Sequence, residues 1–441
     1  MEKVAVARGW HDWSVPGKPV AVITASEAPE LRAREPLLLL VHRIPFPPDK
    51  GDKIRSFRIL EHLSRDYDIH LGCFIDDPDD WQHVETLSRY CVALKAIGID
   101  RRWATIRSAW GLLSGLPLSV PFYASARMQA WVDEVVSSSP VQRVFAYSSP
   151  MAQFVLHDRY AGLRRIMDLV DVDSDKWRQY AERTGFPMRQ VYRREWRQLA
   201  QYERQIAKAF DAVTLVTENE TSLFDTLSPE TVDKHHAVAN GVDTVVMDPC
   251  EDYENPFPDD EKPLVFVGMM NYWANVEAVT WFAEQVLPRV LNSVPDARFW
   301  IVGGSPTEAV MALDKIPAVH VTGRVEDVRP YIRHSAVALA PLRIARGIQN
   351  KVLEYLSMGR PTVCSPQAAA GLVARDTAPI IVVEGDEETA AACVDVLSGE
   401  GYVPGREREY VLEHYAWDRN LSRLCAVVAG ESVSVERAAS A

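Results

Sequence analysis

Pro341-Leu342-Arg343-Ile344-Ala345-Arg346-Gly347-Ile348-Gln349-Asn350-Lys351-Val352-Leu353-Glu354-Tyr355-Leu356-Ser357-Met358-Gly359-Arg360-Pro361-Thr362-Val363 is the stretch on which the fold turns. An apolar strand, Ala336 to Leu339, runs into a loop with two arginines and a glycine. A helix with Lys351 and Glu354 on its first turns follows, and Gly359-Arg360-Pro361 leads into another strand. Strand, loop, helix, strand is the repeating unit of a doubly wound parallel sheet. The loop also suits an anion. Gly347 permits close backbone approach, the first amides of the helix lack intrahelical partners, and the helix dipole favours negative charge there. Arg343, Arg346 and Lys351 add positive charge, and Glu354 can accept from sugar hydroxyls.

The same alternation extends in both directions. Leu37 to His42 is a continuous apolar run suited to a strand buried on both faces, followed by a helix from Lys53 to Arg65 and a strand from Ile69 to Phe74. Further strands are predicted at Arg143–Ala146, Arg164–Asp168 and Ala212–Val216, with one long polar helix, Ser174–Ala209, between the last two. Pro249 to Pro263, rich in proline and acid, is predicted to be an interdomain linker. A second alternation begins at Leu264, with a helix Val276–Leu291, a strand Arg298–Val302, strands at His320, Val337, Thr362 and Ile380, and a final helix Glu407–Val428.

A length of 441 residues suits two domains of about 200 residues each, and 47% hydrophobic with 25% charged residues is the composition of a soluble globular protein. A net charge of −13 argues against nucleic acid as a partner. Cys73, Cys91, Cys250, Cys364, Cys393 and Cys425 show no paired spacing for zinc or redox chemistry and are expected to be reduced thiols. Val20-Ala21-Val22-Ile23 is too short for a secretory core, and no run approaches the roughly 18 apolar residues of a membrane span, so a cytoplasmic location is expected.

The Pro341–Thr362 segment resembles the donor-binding segment of the family 4 glycosyltransferases, whose GT-B fold sets two Rossmann-like doubly wound parallel-sheet domains facing across a cleft. Its Pro-Leu-Arg-x-x-Arg-Gly-x-x-Asn-Lys-x-Leu-Glu wording is closest to the sugar transferases of PEP-CTERM/exosortase loci. In the family two glutamates eight positions apart frame the site; Glu354 matches the second, and Arg346 stands where the first would be. Val238-Ala239-Asn240-Gly241-Val242-Asp243 is similar to the signature that closes the N-terminal domain. Leu264 to Tyr272 with Asn275-Val276-Glu277-Ala278 resembles the first strand and loop of the donor domain, with Met269 in place of an arginine. Val321 to Val328 resembles the strand and loop beneath the nucleotide base, and Pro45 to Ser56 the opening loop of the subgroup. The resemblance covers residues 37 to 425.

It implies residues 1–35 as a flexible N-terminal extension or over-long start, 36–248 as the acceptor-side domain, 249–263 as linker and 264–406 as the nucleotide-sugar donor domain. A helix over 407–428 would cross back to the first domain, with 429–441 a disordered tail. Because ligands of open sheets sit at the carboxyl ends of strands, the donor contacts are expected from Gly268, Asn271, Arg324, Gly347, Ile348, Asn350 and Glu354, with Lys351, Arg343 and Arg346 stabilising the departing phosphate. Arg324 serves equally as a surface residue. Lys50, Gly51, Asp52, Lys53 and Arg55, with Ser148 and Ser149 after the Arg143 strand, are expected on the acceptor side. Asp171 or Asp173 would orient the acceptor hydroxyl, or Asp173 would only cap the next helix. A Mg²⁺ site on Asp168, Asp171 and Asp173 is the weaker reading, so no metal and no cofactor are expected, the nucleotide sugar being a substrate.

Trp103, Ile106, Trp110 and Leu113 lie at helical spacing among Arg101, Arg102 and Arg107. The stripe is expected to pack on the domain core, the alternative being peripheral contact with an anionic membrane. The reading is a retaining, metal-independent glycosyltransferase. It moves a sugar from a nucleotide-diphosphate donor to a saccharide or polyprenyl-linked acceptor in exopolysaccharide assembly, at the cytoplasmic side. A non-catalytic scaffold subunit and a sugar-nucleotide epimerase of the same fold are the alternatives.

Overall fold

Leu37, Leu38, Leu39 and Leu40 have no solvent exposure, as a strand covered on both faces requires. They lie in a computed structural model that describes residues 20–24, 34–345, 347–400, 402 and 404–431, with backbone alone for 109–114 and 183. Arg346 and most of both expected termini lie outside the described residues. The chain forms two compact units, one from residues up to Val238 together with those from Leu421, the other from Ala239 to Asn420.

The strands of the first unit are β1 (Val20–Thr24), β2 (Glu35–Val41), β3 (Tyr67–Ile75), β4 (Ala93–Gly98), β5 (Arg143–Tyr147), β6 (Arg164–Val170), β7 (Ala212–Leu215) and β8 (His235–Ala237). They form one sheet in the order β1-β4-β3-β2-β5-β6-β7-β8, parallel throughout except for β1 against β4. The second unit contributes β9 (Lys262–Val267), β10 (Ala297–Val302), β11 (Val319–Gly323), β12 (Val337–Ala340), β13 (Thr362–Cys364) and β14 (Ile381–Val382). Their order is β11-β10-β9-β12-β13-β14, all parallel. Both sheets are doubly wound, as expected from the alternation of strand and helix.

Five local expectations change. Val20–Thr24, assigned to a flexible extension, is the antiparallel edge strand β1, registered Val20 to Ile97 and Thr24 to Ala93. The single helix Ser174–Ala209 is two helices, Asp173–Arg183 and Met188–Ala209, because Gly185 and Pro187 break the intervening turn. The helix expected over Val276–Leu291 starts at Trp273 and carries a π-helical turn at Phe282–Val286, just where Pro288 withholds a backbone donor. The final helix divides into Glu407–His414 and Trp417–Ala429, with Ala416 bridged to Val242 between them. Pro249–Pro263 is packed onto the second unit: Arg333 Nε donates to Pro249 O at 3.0 Å, and the Phe257 ring meets Trp300 edge-on at 5.1 Å.

From Leu421 the last helix belongs to the first unit, where Arg143 Nε and Arg164 Nε donate to Val428 O at 3.3 and 3.2 Å. Trp103 and Ile106 reverse the remaining expectation. They face outward, while Ala104 fills the inward position and Ser108 Oγ donates to Leu118 O at 2.7 Å.

Candidate functional site

In the second sheet the strand order reverses between β9 and β12, and an open sheet takes its ligand outside the carboxyl ends of such strands. Gly268 follows β9, and the loop after β12 leads into the helix Asn350–Ser357. The hydroxyl of Tyr355, buried under this helix, accepts from Val267 N at 2.8 Å, which fixes the helix against the end of β9.

Lys351, in the first turn, is the cation at this point. Its Nζ donates to Asn275 Oδ1 at 2.9 Å and lies 3.7 Å from the centre of the Phe266 ring. Asn275 is held in turn by donation from Nδ2 to Met269 O at 2.9 Å. An amide and a ring face offer the ammonium less than water or a carboxylate would. Burial therefore pulls its pKa from the ordinary 10.5 down to about 7, with Glu354 offsetting part of the effect. Burial pushes the Glu354 carboxyl up, against the pull of Lys351.

Gly268 keeps this space open. A Cβ there would come 2.8 Å from Asn275 Nδ2 and 3.2 Å from Lys351 Nζ. Gly303, at φ 149°, lies so near that a Cβ on it would overlap Gly268 O. A buried amine held by an amide, a gap kept by two glycines and the amides of a helix start are the features that an anion would use.

Other expected donor residues are placed differently. Gly347 adopts φ 59°, the left-handed region its turn needs, and packs on the backbone of Gly371, while Ile348 is buried. Arg343 is exposed and pairs with Glu277 Oε1 at 2.8 Å. It lies between a pocket of about 570 Å³ lined by Asn271, Trp273 and Glu277 and one of about 430 Å³ lined by Ser365 and Glu384. Arg324 is exposed beside Gly304. Asn275 is not among the residues expected from the sequence to touch the donor, and its place within the Asn275-Val276-Glu277-Ala278 motif is the signal that could have found it.

In the first sheet the order reverses at β2. Here the expected acceptor-side cations turn inward. Lys53 Nζ donates to both carboxylate oxygens of Asp80 at 2.9 Å, and Arg55 binds Asp168 through Nε at 2.8 Å and Nη2 at 3.3 Å while Nη1 donates to Val238 O at 2.9 Å. Both side chains are at most 2% exposed, because they lie on the inner face of the helix Gly51–Leu63. Lys50 and Gly51 remain on the surface.

Asp52 is half-buried against Arg43 Nη1 at 2.5 Å and His42 Nε2 at 3.5 Å. Burial would raise its carboxyl, but the hydrogen bond from His42 and the Arg43 charge outweigh it and hold the group at about 2. His42 stacks on Tyr147, ring centres 5.7 Å apart and planes at 9°. Ser148 and Val170, at φ 71° and 69°, end β5 and β6 in conformations that side-chain-bearing residues rarely hold, β-branched valine least of all. Ser149 is buried.

Asp171 lies beside this edge, its carboxyl pushed up to about 6 by burial and by Glu220 and Asp173. The helix after it is capped from a distance. Glu220 Oε2 accepts from Val172 N at 2.7 Å and Glu203 Oε1 from Ser174 N at 3.1 Å, so Asp173 is its first residue rather than its cap. Asp168 is committed to Arg55, and among the described residues no three His, Cys, Asp or Glu side chains converge as metal ligands.

With two doubly wound parallel sheets, and by its likeness to the solved structures below, the fold is GT-B. Residues 261–399 match the family model Glycosyl transferases group 1. Sucrose-phosphate synthase from Thermosynechococcus elongatus is similar at 14% identity and TM-score 0.61, over 90% of this chain and 99% of that one. HepE from Anabaena in complex with UDP is similar at 10% identity and TM-score 0.62, over 90% and 100%. WaaG, a glycosyltransferase involved in lipopolysaccharide biosynthesis, is similar at 14% identity and TM-score 0.56, over 89% and 100%. No curated protein sequence matches this chain closely enough to count as a relative.

Proposed function

We propose that this protein transfers a sugar from a nucleotide-diphosphate donor to a saccharide or lipid-linked acceptor, with retention and without a metal ion, in bacterial exopolysaccharide assembly. The observation that carries the reading is the Lys351 cage beside Gly268 at the switch point of the second sheet. The acceptor oxygen bonds to the anomeric carbon on the face from which the diphosphate departs, and the hydroxyl proton leaves with the departing phosphate oxygen. Lys351 and the helix amides stand where negative charge develops, so they act more strongly on the transition state than on the ground state. Glu354 receives the ribose hydroxyls. Asp171, raised toward neutral pH, positions the acceptor. The exopolysaccharide assignment rests on the Pro-Leu-Arg-x-x-Arg-Gly-x-x-Asn-Lys wording, and the cytoplasmic side is where nucleotide sugars are found. Among the described residues no helix is long and apolar enough to cross a membrane.

A second reading, a scaffold without turnover, draws on Arg343, whose charge is already paired with Glu277. Thermal stabilisation by a panel of nucleoside diphosphates and their sugars separates the two, because a ligand bound only by the native state raises the melting temperature by mass action. UDP heads the panel, since HepE was solved with it. The expected result is a selective shift lost in Lys351→Ala; no shift with any nucleotide moves the assignment to the scaffold.

A further inference from the structure

The helix Arg101–Ser114 of the first unit presents an apolar stripe that the core does not use. Trp103 is 65% exposed and Ile106 49%, and the loop after the helix adds Leu116 at 41%. Their outward direction is fixed by the opposite face, where Ala104 is fully buried and Ser108 Oγ is tied to Leu118 O. At about 100° per residue, Trp103 and Ile106 point within about 60° of each other, with Arg102 and Arg107 about 40° beyond them on either side. Arg107 is held there by donation to Ala124 O at 2.8 Å and Phe122 O at 3.2 Å. Arg194, from the helix Met188–Ala209, donates to Leu116 O at 3.0 Å, but its charge is paired with the buried Glu195 at 3.3 Å, so the two helix arginines carry the charge of the margin.

Charge is segregated as well. The chain as a whole carries a net charge of −13, yet from Arg101 to Val132 it has Arg101, Arg102, Arg107 and Arg127 and no aspartate or glutamate. Arg101 is partly spent on Asp76, at 2.7 Å; Arg102 is exposed on the rim of the stripe. An indole and a branched aliphatic side chain between arginines match the boundary of a lipid bilayer, where an amphipathic helix lies with its apolar face among the headgroups. Two such side chains offer much less than the roughly 1,000 Å² a stable protein interface buries, but shallow insertion asks for no more.

We propose that the Trp103–Ile106 face of this helix docks on an anionic lipid surface, with the two side chains entering the headgroup layer and Arg102 and Arg107 meeting lipid phosphates. The surface lies on the first unit and involves no residue of the nucleotide site, so the proposal stands or falls separately from the assigned activity.

Flotation of the full chain with vesicles tests it, without any nucleotide present. Binding is expected to vesicles of phosphatidylcholine with one-third phosphatidylglycerol at low salt, to weaken at least tenfold on phosphatidylcholine alone, and to be lost at about 0.5 M salt as the charges are screened. Trp103→Ser/Ile106→Ser, at exposed positions, is expected to lower binding at least tenfold with an unchanged melting temperature. Arg102→Glu, which reverses one charge at on the order of fivefold per unit, is expected to lower it by more than tenfold. Absence of binding to the anionic vesicles, equal binding to both vesicle types, or binding unaltered in the double variant would each overturn the proposal.

Discussion

Lys351 is oriented by Asn275: the ammonium donates to a side-chain amide 2.9 Å away whose own nitrogen is fixed on Met269 O. A carboxylate in that place would neutralise the charge and compete with an incoming phosphate. An amide aims the lysine without satisfying it, which leaves its electrostatic reach for a ligand.

Asn275→Ala is therefore expected to weaken nucleoside diphosphate binding by about tenfold, the worth of one oriented hydrogen bond of about 1.4 kcal/mol. Asn275→Asp should weaken it further at neutral pH, because the new carboxylate holds the ammonium. Calorimetric titration with UDP measures both. An aspartate variant that binds as well as the native chain would remove the orienting role.

The same cage predicts a pH signature. The folded chain holds the Lys351 proton with a pKa of about 7, against an ordinary value of 10.5, so above pH 7 the phosphate must bring a proton with it. Affinity for the diphosphate is expected to fall as pH rises from 7 towards 9, with proton uptake visible in buffers of different ionisation enthalpy. Stability of the ligand-free chain runs the other way. Between pH 7 and 10.5 the unfolded chain binds more protons at this residue, so stability rises through that window. Lys351→Met should flatten both trends, and a pH-independent affinity in the native chain would contradict the assignment.

Arg55 and Asp168 form a buried bidentate pair in the first unit, and the arginine also satisfies Val238 O. Arg55→Met leaves an unpaired carboxylate and an open carbonyl in a fully buried site, a loss on the order of 3–5 kcal/mol. Asp168→Asn in the same background should recover much of it. Urea denaturation of the single and double variants checks this. A single variant of native stability but weakened acceptor binding would restore Arg55 to the substrate side.

The sequence made the fold legible because both sheets are parallel and covered on both faces, so strands such as Leu37–Leu40 and Leu264–Val267 are continuous apolar runs broken by loops and helices. That Gly268 lies beside Lys351 was legible because strand end, glycine loop and helix start fall in one order along the chain. Lys53 and Arg55 misled because a basic cluster at a helix start looks the same whether its charges meet a ligand or carboxylates more than a hundred residues away, as Arg55 meets Asp168. His42 and Tyr147 come from different strands and meet only through β2–β5 pairing. Trp103 and Ile106 show the limit of periodicity: helical spacing identifies a stripe but not which way it faces.

Glu203 offers a test of the region beside Asp171. It lies 1% exposed on the helix Met188–Ala209, one oxygen accepting from Ser174 N and the other with no hydrogen-bond partner among the described residues. Burial drives its pKa from 4.5 to about 8, the bonds to Ser174 restraining the shift and the Asp173 charge adding to it. Between those values the folded chain binds more protons than the unfolded one, so stability is full below pH 4.5 and lost as pH rises through 8. Glu203→Gln keeps the oxygen that caps Ser174 but cannot ionise. Its melting temperature should match the native chain near pH 5 and exceed it increasingly up to pH 9. The opposite order at pH 9 would mean that the carboxylate is ionised and paired in the folded chain, and that the helix Asp173–Arg183 depends on its charge.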